Sequence, residues 1–459
     1  MAQETTRRFF LGAATAAAAT RVWGANDRVN VVIVGLGGRG TNHLHIYGKL
    51  PEANVVGLCD VDQAARERAQ AWLTANTSDK AKEYVDMRDA FADANVEAVS
   101  IATPNHWHAL AAIWAMKAGK DVYGEKPACY NIHEGQRMIQ VARETKRMVQ
   151  IGSQHRSMPF KIRAMEAVHG GLLGQVYMAK GLCFKRRASI GHADDSPTPP
   201  GVNWDLFLGP APMRPFNRLR FKYNWHWFWD TGNGDIGNQG VHEIGICRWA
   251  LGDPGFPKSA YAQGGKYAYK DDQETPNTLL ASYDYGGREI VFEVRGLLTG
   301  SEGYPVKRRV GAPAAGAVAP SAAGEPTAIT PKNAAPINVM VGNLIYGTEG
   351  WAAMSDEGFL AFKGESNELV MEERPERGPG GDSTALHMQN FLAAVRSRDY
   401  KSLHDEIGNA YLSASLCHLA NISYRTGHKL NITDGPHFVN DEEANRMQTR
   451  PVYRKPYVV

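Results

Sequence analysis

The sequence predicts an α/β protein, with a doubly wound parallel sheet at the N-terminal end and a second, strand-rich α+β unit after it. Three observations predict it. Apolar β-branched runs alternate with helical patterns between residues 28 and 151, the rhythm of a parallel sheet covered on both faces. A G-x-G-x-x-G segment stands between the first strand and the first helix, and an acid, Asp60, closes the second strand. At 459 residues the chain exceeds one ordinary core and suits two domains. We place these at 27–152 and 153–430, with a tail over 431–459.

Composition narrows the class further. Hydrophobic residues make up 43% and charged residues 22%, so a packed globular chain is expected rather than a disordered one. The net charge is +3 without a long Lys/Arg run, which argues against the concentrated basic face of a nucleic-acid binder. No run of 18 apolar residues follows the N-terminus, so no membrane span is expected. Cys59, Cys129, Cys183, Cys247 and Cys417 show no C-x-x-C spacing and read as buried thiols, not as a disulfide framework or zinc site. Glycine, at 47 residues, exceeds the usual share of about 7% and implies tight turns or close backbone approaches.

Thr6-Arg7-Arg8-Phe9-Phe10-Leu11-Gly12 precedes a mild Ala/Thr run over 13–20 and resembles a twin-arginine export signal. Residues 1–26 are therefore excluded from the fold. The expected partner is the twin-arginine export machinery and the expected location periplasmic or otherwise exported; an ordinary basic N-terminus is the alternative. That route carries folded proteins, which suits a chain that loads a cofactor before leaving the cytoplasm.

The elements follow in order. Residues 28–34 form an apolar strand and run into Gly35, Leu36, Gly37, Gly38, Arg39 and Gly40, then a helix to residue 49. In this setting of a Rossmann fold, Gly35 permits the turn, Gly37 lets backbone approach a pyrophosphate, and Gly40 lets helix and strand close up. The helix N-terminus supplies free N–H groups to the phosphates. Residues 54–59 form the second strand, ending at Asp60, 25 positions after Gly35. An acid there accepts hydrogen bonds from the ribose hydroxyls and repels a 2′-phosphate. Val61 and Asp62 follow, with no Arg or Lys to hold such a phosphate, so NAD is favoured over NADP. Helices over 62–75, 87–92, 107–118 and 133–146 alternate with strands over 98–102, 121–123 and 148–151. At strand ends, where open α/β sheets place their sites, stand Thr103-Pro104-Asn105 and Glu125-Lys126-Pro127.

At these residues the sequence resembles the Gfo/Idh/MocA oxidoreductases, named for glucose–fructose oxidoreductase and inositol dehydrogenase. Residues 35–40, Ala102-Thr103-Pro104-Asn105 with His108, Glu125-Lys126-Pro127 and residues 234–242 carry the resemblance. It implies a Rossmann domain followed by a domain whose open, mostly antiparallel sheet floors the active site. It also implies sugar, polyol or related substrates. Gly35, Leu36, Gly37, Gly38, Arg39, Gly40, Asp60, Thr103, Pro104, Asn105, His108, Glu125 and Lys126 would then line the cofactor, with Glu125 at the nicotinamide ribose. The family's catalytic lysine maps onto Lys126. An ammonium there stabilises a developing alkoxide and can shuttle the hydroxyl proton.

Residues 232–242 are glycine-rich and lead into an apolar helical stretch that stops at Gly252. The family usually places an Asp four residues before His242, on the same helical face; here that position is Asn238. Asn cannot ionise, so Asp235, seven residues before His242, is the substitute to test if the helix begins early enough. His242 as a satisfied helix histidine is the bland alternative. Arg156 follows the last Rossmann strand, where the resemblance implies a substrate contact, with a plain salt bridge as the alternative. Asn203-Trp204-Asp205 with Leu208-Gly209-Pro210 resembles a segment of an exported branch of the family. Tyr223 to Trp229 holds five aromatics in seven residues. Trp204 and Trp227 are candidates to stack on sugar faces, with a core or oligomer-interface role equally open. His43/His45 and His106/His108 lack a carboxylate or Cys set at ligand spacing, so no metal is expected.

Strand-like runs at 258–263, 277–285, 288–295, 337–341 and 367–372 supply the second sheet. The Ala/Pro/Gly-rich residues 311–336 read as an inserted surface loop. Helices over 383–398 and 405–426 would, by the resemblance, return to the Rossmann side. The leading function is an exported NAD-dependent oxidoreductase of a sugar or sugar derivative, with its cofactor tightly held. The rival is a redox-neutral glycosidase or lyase that oxidises its sugar transiently and needs no paired carboxylates. A nucleotide-loaded binding protein is disfavoured by Lys126 and His242 together. An open sheet face could support a homo-oligomer.

Overall fold

β1 (Val29–Val34) is buried along nearly its whole length, as a strand covered on both faces must be. The alternation continues through α1 (Gly38–Tyr47), β2 (Ala53–Cys59), α2 (Gln63–Asn76), β3 (Lys82–Tyr84), α3 (Met87–Ala92), β4 (Ala98–Ile101), α4 (Asn105–Lys117), β5 (Asp121–Gly124), α5 (Ile132–Thr145) and β6 (Val149–Ile151). The strands pair in parallel in the order β3-β2-β1-β4-β5-β6. That order reverses between β1 and β4, the switch point at which such sheets bind ligands. Asp62, Asp86 and Asn131 start α2, α3 and α5 by accepting the N–H groups of Ala64, Arg88 and Glu134. The computed structural model describes residues 28–300 and 337–459, apart from Arg377, Pro379, Gly380 and Asp434. The expected export signal and the 311–336 insertion lie outside the described residues.

The second half begins with α6 (Pro159–His169) and β7 (Val176–Cys183). A long excursion over 184–233 carries the short α7 (Trp204–Leu208) before α8 (Val241–Ala250). Then come β8 (Ser259–Gly265), β9 (Thr278–Asp284), β10 (Glu289–Arg295), β11 (Val341–Gly347), β12 (Gly350–Ser355), β13 (Gly358–Lys363), β14 (Glu368–Glu373), α9 (Ser383–Ser397), α10 (Ile407–Thr426), β15 (Leu430–Thr433), β16 (His437–Phe438) and α11 (Glu442–Arg446). The sheet runs β14-β13-β12-β11-β7-β10-β9-β8-β15-β16. Its pairings are antiparallel except β7 with β10. Along β9, Leu279, Ala281 and Tyr283 are buried while Leu280 and Asp284 point outward. One face is thus covered by α8 and α10, and the other is partly open.

The structure departs from the sequence reading at three points. The strand placed at 337–341 starts only at Val341, which pairs with Cys183 of β7; residues 337–340 are irregular. β3, β7, β12 and β13 carried no usable period: β3 is a short charged edge, and β12 and β13 are buried on consecutive positions. Residues 431–459 are more than a tail, since they hold β16 and α11 and end with Tyr457 buried against Trp107.

The two halves share their packing. Met388, Phe391, Leu392 and Val395 of α9 join Leu44, Tyr47 and Leu73 beneath the first sheet, each burial worth about 1.5–3 kcal/mol. The 184–233 excursion also folds back over the first domain. Gly201 accepts from Gln63 N–H at 2.9 Å, Asn203 N–H donates to Val61 at 2.9 Å, and the Trp107 indole N–H donates to Leu206 at 3.0 Å. Among the described residues no helix is long and apolar enough to cross a membrane.

Candidate active site

The glycine loop is shaped for a phosphate group. Gly35 has φ +86°, and a Cβ there would lie 2.7 Å from the Ala102 carbonyl; a Cβ on Gly40 would lie 1.7 Å from the Gly35 carbonyl. Only glycine tolerates this turn and this contact. Gly37 and Gly38 instead face open space and are exposed. α1 starts there with no side-chain cap and no acid in its first turn, so its N–H groups and positive dipole end are free to meet an anion. Asp60 accepts the Leu36 N–H at 2.6 Å and the Asp62 N–H at 2.8 Å. Burial pushes its carboxyl upward against those bonds. These features fit a dinucleotide. They also reveal a cation that the sequence distance concealed: Arg66, one turn into α2, folds back to donate to the Asp60 carbonyl at 2.6 Å and lies 3.4 Å from Glu83.

At the end of β5, Glu125 is buried and its Oε1 accepts from Arg39 Nε at 2.7 Å and from His43 Nε2 at 2.9 Å. Burial alone would raise its pKa, but Arg39 and His43 outweigh that and hold the carboxyl well below its usual range. A Cβ on Gly152, just after β6, would sit 2.7 Å from Glu125 Oε1, so Gly152 makes room for the carboxylate. The Lys126–Pro127 peptide is cis. His108 joins this turn to the end of β4, with ring nitrogens 2.7 Å from the Pro127 carbonyl and 2.9 Å from that of Thr103. Thr103 Oγ1 is buried without a partner among the described residues. Asn105 donates to Asn233 at 3.0 Å.

Lys126 Nζ reaches the second half of the chain, donating to the Asn238 carbonyl at 2.5 Å and lying 3.3 Å from its Oδ1. Burial pulls its pKa down, and Glu125 only partly restores it. The helix that carries Asn238 does begin early: residues 234 and 235 are helical, Ile236–Gly240 form a π-helical turn, and α8 continues from Val241. Such π-turns mark functional sites often. The wide turn brings Asn238 Nδ2 within 3.2 Å of Asp235 Oδ1. Asp235 itself is engaged by Arg187, whose Nε and Nη2 donate to its two oxygens at 2.9 and 2.7 Å. The Arg187 guanidinium lies 5.3 Å from the Trp227 ring centre. Sequence reasoning missed Arg187 because β7, which delivers it, went unread; Lys185-Arg186-Arg187 was its only signal.

His242 is buried, its Nδ1 has no partner among the described residues, and its ring centre lies 4.8 Å from that of His155. Burial, reinforced by His155 and Lys126, lowers its pKa well below the usual imidazole value, so the ring is neutral. Next to it, Glu243 is buried, accepts from Gln239 at 3.1 Å and is pushed up to about 8 by burial. His155, Lys161, Glu243, Asn343 and Asp356 line a cavity of about 230 Å³.

The remaining candidates sit elsewhere. Arg156 is buried in ion pairs with Asp253 at 2.6 Å and Asp405 at 3.7 Å, the salt-bridge alternative. Trp204 stacks on Phe207 and lines a cavity of about 490 Å³ with Val61, Arg66 and Val85, on the Asp60 side. Trp227 is buried as the platform under Arg187. His45 stacks on Trp72, and His106 donates to the Phe207 carbonyl. Among the described residues no three His, Cys, Asp or Glu side chains group as for a metal ion. All five cysteines are free and buried.

Comparison with known proteins agrees with this fold. The sequence model of an oxidoreductase family's NAD-binding Rossmann fold matches residues 29–153, and that of the same family's C-terminal alpha/beta domain matches residues 167–291. The chain is 30% identical over 268 residues to a glycosyl hydrolase family 109 protein of Saccharopolyspora erythraea, covering 56% of this chain and 50% of that one. It is 35% identical over 151 residues to the inositol 2-dehydrogenase of Salmonella typhimurium, covering 32% and 44% respectively. The chain thus spans about half the length of the curated relatives it matches. The fold is shared with the WlbA dehydrogenase of Bordetella pertussis, solved with NADH and UDP-GlcNAcA. There the TM-score is 0.61 at 18% identity, over 89% of this chain and 99% of that one.

Proposed function

Because the chain belongs to the Gfo/Idh/MocA oxidoreductase family, we propose that it moves hydride between a hydroxyl of a sugar or sugar derivative and a tightly held NAD. The observation that carries this reading is Lys126, a half-buried amine at the carboxyl end of β5, between Glu125 and the π-turn. The glycine loop, Asp60, Thr103 and Glu125 would hold NAD, whose nicotinamide accepts or returns hydride when bound. Lys126 meets the reacting oxygen. As the neutral amine that burial favours, Nζ takes the hydroxyl proton while the C–H bond breaks and the carbonyl forms; in reverse the ammonium gives the proton back. Asn238 orients Nζ. Asp235 neutralises Arg187 and orients the Asn238 amide, so we assign it positioning rather than proton transfer. His242, kept neutral, is the candidate second proton group.

A second reading has its own support in the similarity to a glycosyl hydrolase family 109 protein. Transient oxidation would acidify the neighbouring C–H, the glycosidic oxygen would leave, water would add, and hydride would return. Export, supported by Arg7-Arg8 and the residues after them, fits either reading, because a cofactor carried out of the cytoplasm has to be regenerated on the enzyme. The test uses purified protein without added nucleotide on a panel of hexoses, inositols and aryl hexosides. Aglycone released without net reduced nicotinamide selects the glycosidase; oxidised sugar coupled to a reduced acceptor selects the dehydrogenase. Denaturing fresh protein and finding no nucleotide would remove the carried cofactor. Fractionating cells that express an Arg7→Lys/Arg8→Lys variant tests export.

A further inference from the structure

Resting on the sugar reading above, we propose that Tyr223 is a second substrate-binding donor, its phenol O–H gripping a sugar oxygen beside the one that Lys126 engages. The argument is one of donors and acceptors. The Asn238 amide has only one orientation open to it: Oδ1 faces Lys126 Nζ at 3.3 Å, and Nδ2 faces the Asp235 carboxylate at 3.2 Å. A carboxylate only accepts, which fixes Nδ2 on the Asp235 side and leaves Oδ1 for the Lys126 amine. The same Nδ2 lies 3.2 Å from the Tyr223 hydroxyl, and Arg187 Nη1 lies 3.1 Å from it. Both neighbours are N–H donors, so the hydroxyl oxygen accepts twice. Its own proton has no acceptor among the described residues. Lys126 and Tyr223 thus stand at opposite ends of one amide, near enough for one substrate molecule to meet both.

The placement is built rather than incidental. The Arg187 guanidinium is fixed by two bonds to Asp235 and by the Trp227 ring. Lys222, just before Tyr223, holds φ +55°, a conformation that side-chain-bearing residues rarely adopt outside functional or tightly determined turns. The Tyr223 carbonyl lies 2.6 Å from His226 Nδ1 and accepts from it, which anchors the backbone. The tyrosine ring remains half exposed. It belongs to the excursion that also covers the cofactor domain at Val61 and Gln63, so the covering segment delivers a donor to the acid–base network. With both oxygens of Asp235 engaged by Arg187 and Asn238 unable to ionise, the phenol is the added donor of this network.

The test is a coupling between protein and substrate. The sugar, inositol or aryl hexoside that the wild type converts fastest is compared with its monodeoxy analogues, in wild type and in Tyr223→Phe, which removes one oxygen. The expected result is a loss of about 10- to 100-fold in kcat/KM for Tyr223→Phe, with melting temperature and retained nucleotide unchanged. One deoxy analogue should lose as much in the wild type and nothing further in the variant. A variant that matches the wild type, or that falls equally further with every analogue, overturns the assignment while leaving the sugar reading intact. A wild type that converts no member of the panel overturns both.

Discussion

Lys126 Nζ donates to the backbone carbonyl of Asn238 at 2.5 Å, so the group proposed to do the chemistry is also the bolt between the nucleotide-binding sheet and the π-turn of the second half. The contact sets both the position of the amine and, through the burial it requires, its proton affinity.

Lys126→Ala should therefore lower turnover by at least about 100-fold while the glycine loop, Asp60 and Glu125 still retain nucleotide. In the oxidation direction the neutral amine is the active form, so activity should rise with pH. Because burial lowers the pKa of Lys126, that rise should be complete below the pH at which an ordinary lysine titrates. Turnover by Lys126→Ala equal to wild type would discard the assignment.

Asp60 should decide between dinucleotides. Its carboxylate stands where a 2′-phosphate would fall, and Arg66 is turned toward the Asp60 carbonyl and Glu83 rather than free. NADH should bind more tightly than NADPH in fluorescence titrations. Asp60→Ser should shrink that preference about tenfold or more by weakening NADH and relieving the repulsion. Equal titrations for both proteins would show that the acid is not the discriminator.

Gly152→Ala probes how firmly Glu125 is held. The added methyl would meet Glu125 Oε1 at 2.7 Å, and that oxygen cannot swing away without giving up Arg39 and His43. Overpacking of this kind costs about 1–3 kcal/mol, visible as a lower melting temperature together with weaker nucleotide retention. A variant with wild-type melting and retention would mean that the carboxylate is not locked.

The sequence made the first sheet readable because a strand buried on both faces is a plain apolar run, and because G-x-G-x-x-G is local. It also singled out Lys126, Asn238 and Asp235 as candidates, which the fold brings into contact. It could not show that Arg187 takes up Asp235, since that pairing depends on β7, whose alternation is broken near Lys180 and Gly181. Nor could it anticipate the π-turn: a helical wheel of ordinary pitch places Asn238 and His242 on one face, whereas the widened turn gives Asn238 to Lys126 and leaves the His242 ring beside His155. Tyr223 lay in an aromatic run whose composition says only that something large is buried. Its hydroxyl acquired meaning from two donors far away in sequence.

Glu243 gives the protein a stability that depends on pH. Its carboxyl is fully buried, Oε2 has no partner among the described residues, and burial lifts its pKa to about 8, against about 4.3 in an unfolded chain. A raised pKa means that the folded state binds the proton more tightly. The contribution is thus fully present below the unfolded value and is lost as pH rises toward 8, at up to about 1.4 kcal/mol per pH unit. Glu243→Gln keeps the shape and the bond from Gln239 but removes the titration. Between pH 5 and 8 the wild-type melting temperature should fall more steeply than that of the variant, the gap between them changing monotonically in the variant's favour. Parallel curves would show that Glu243 is ionised in the folded protein, reached by water or a cation that the burial of the side chain conceals.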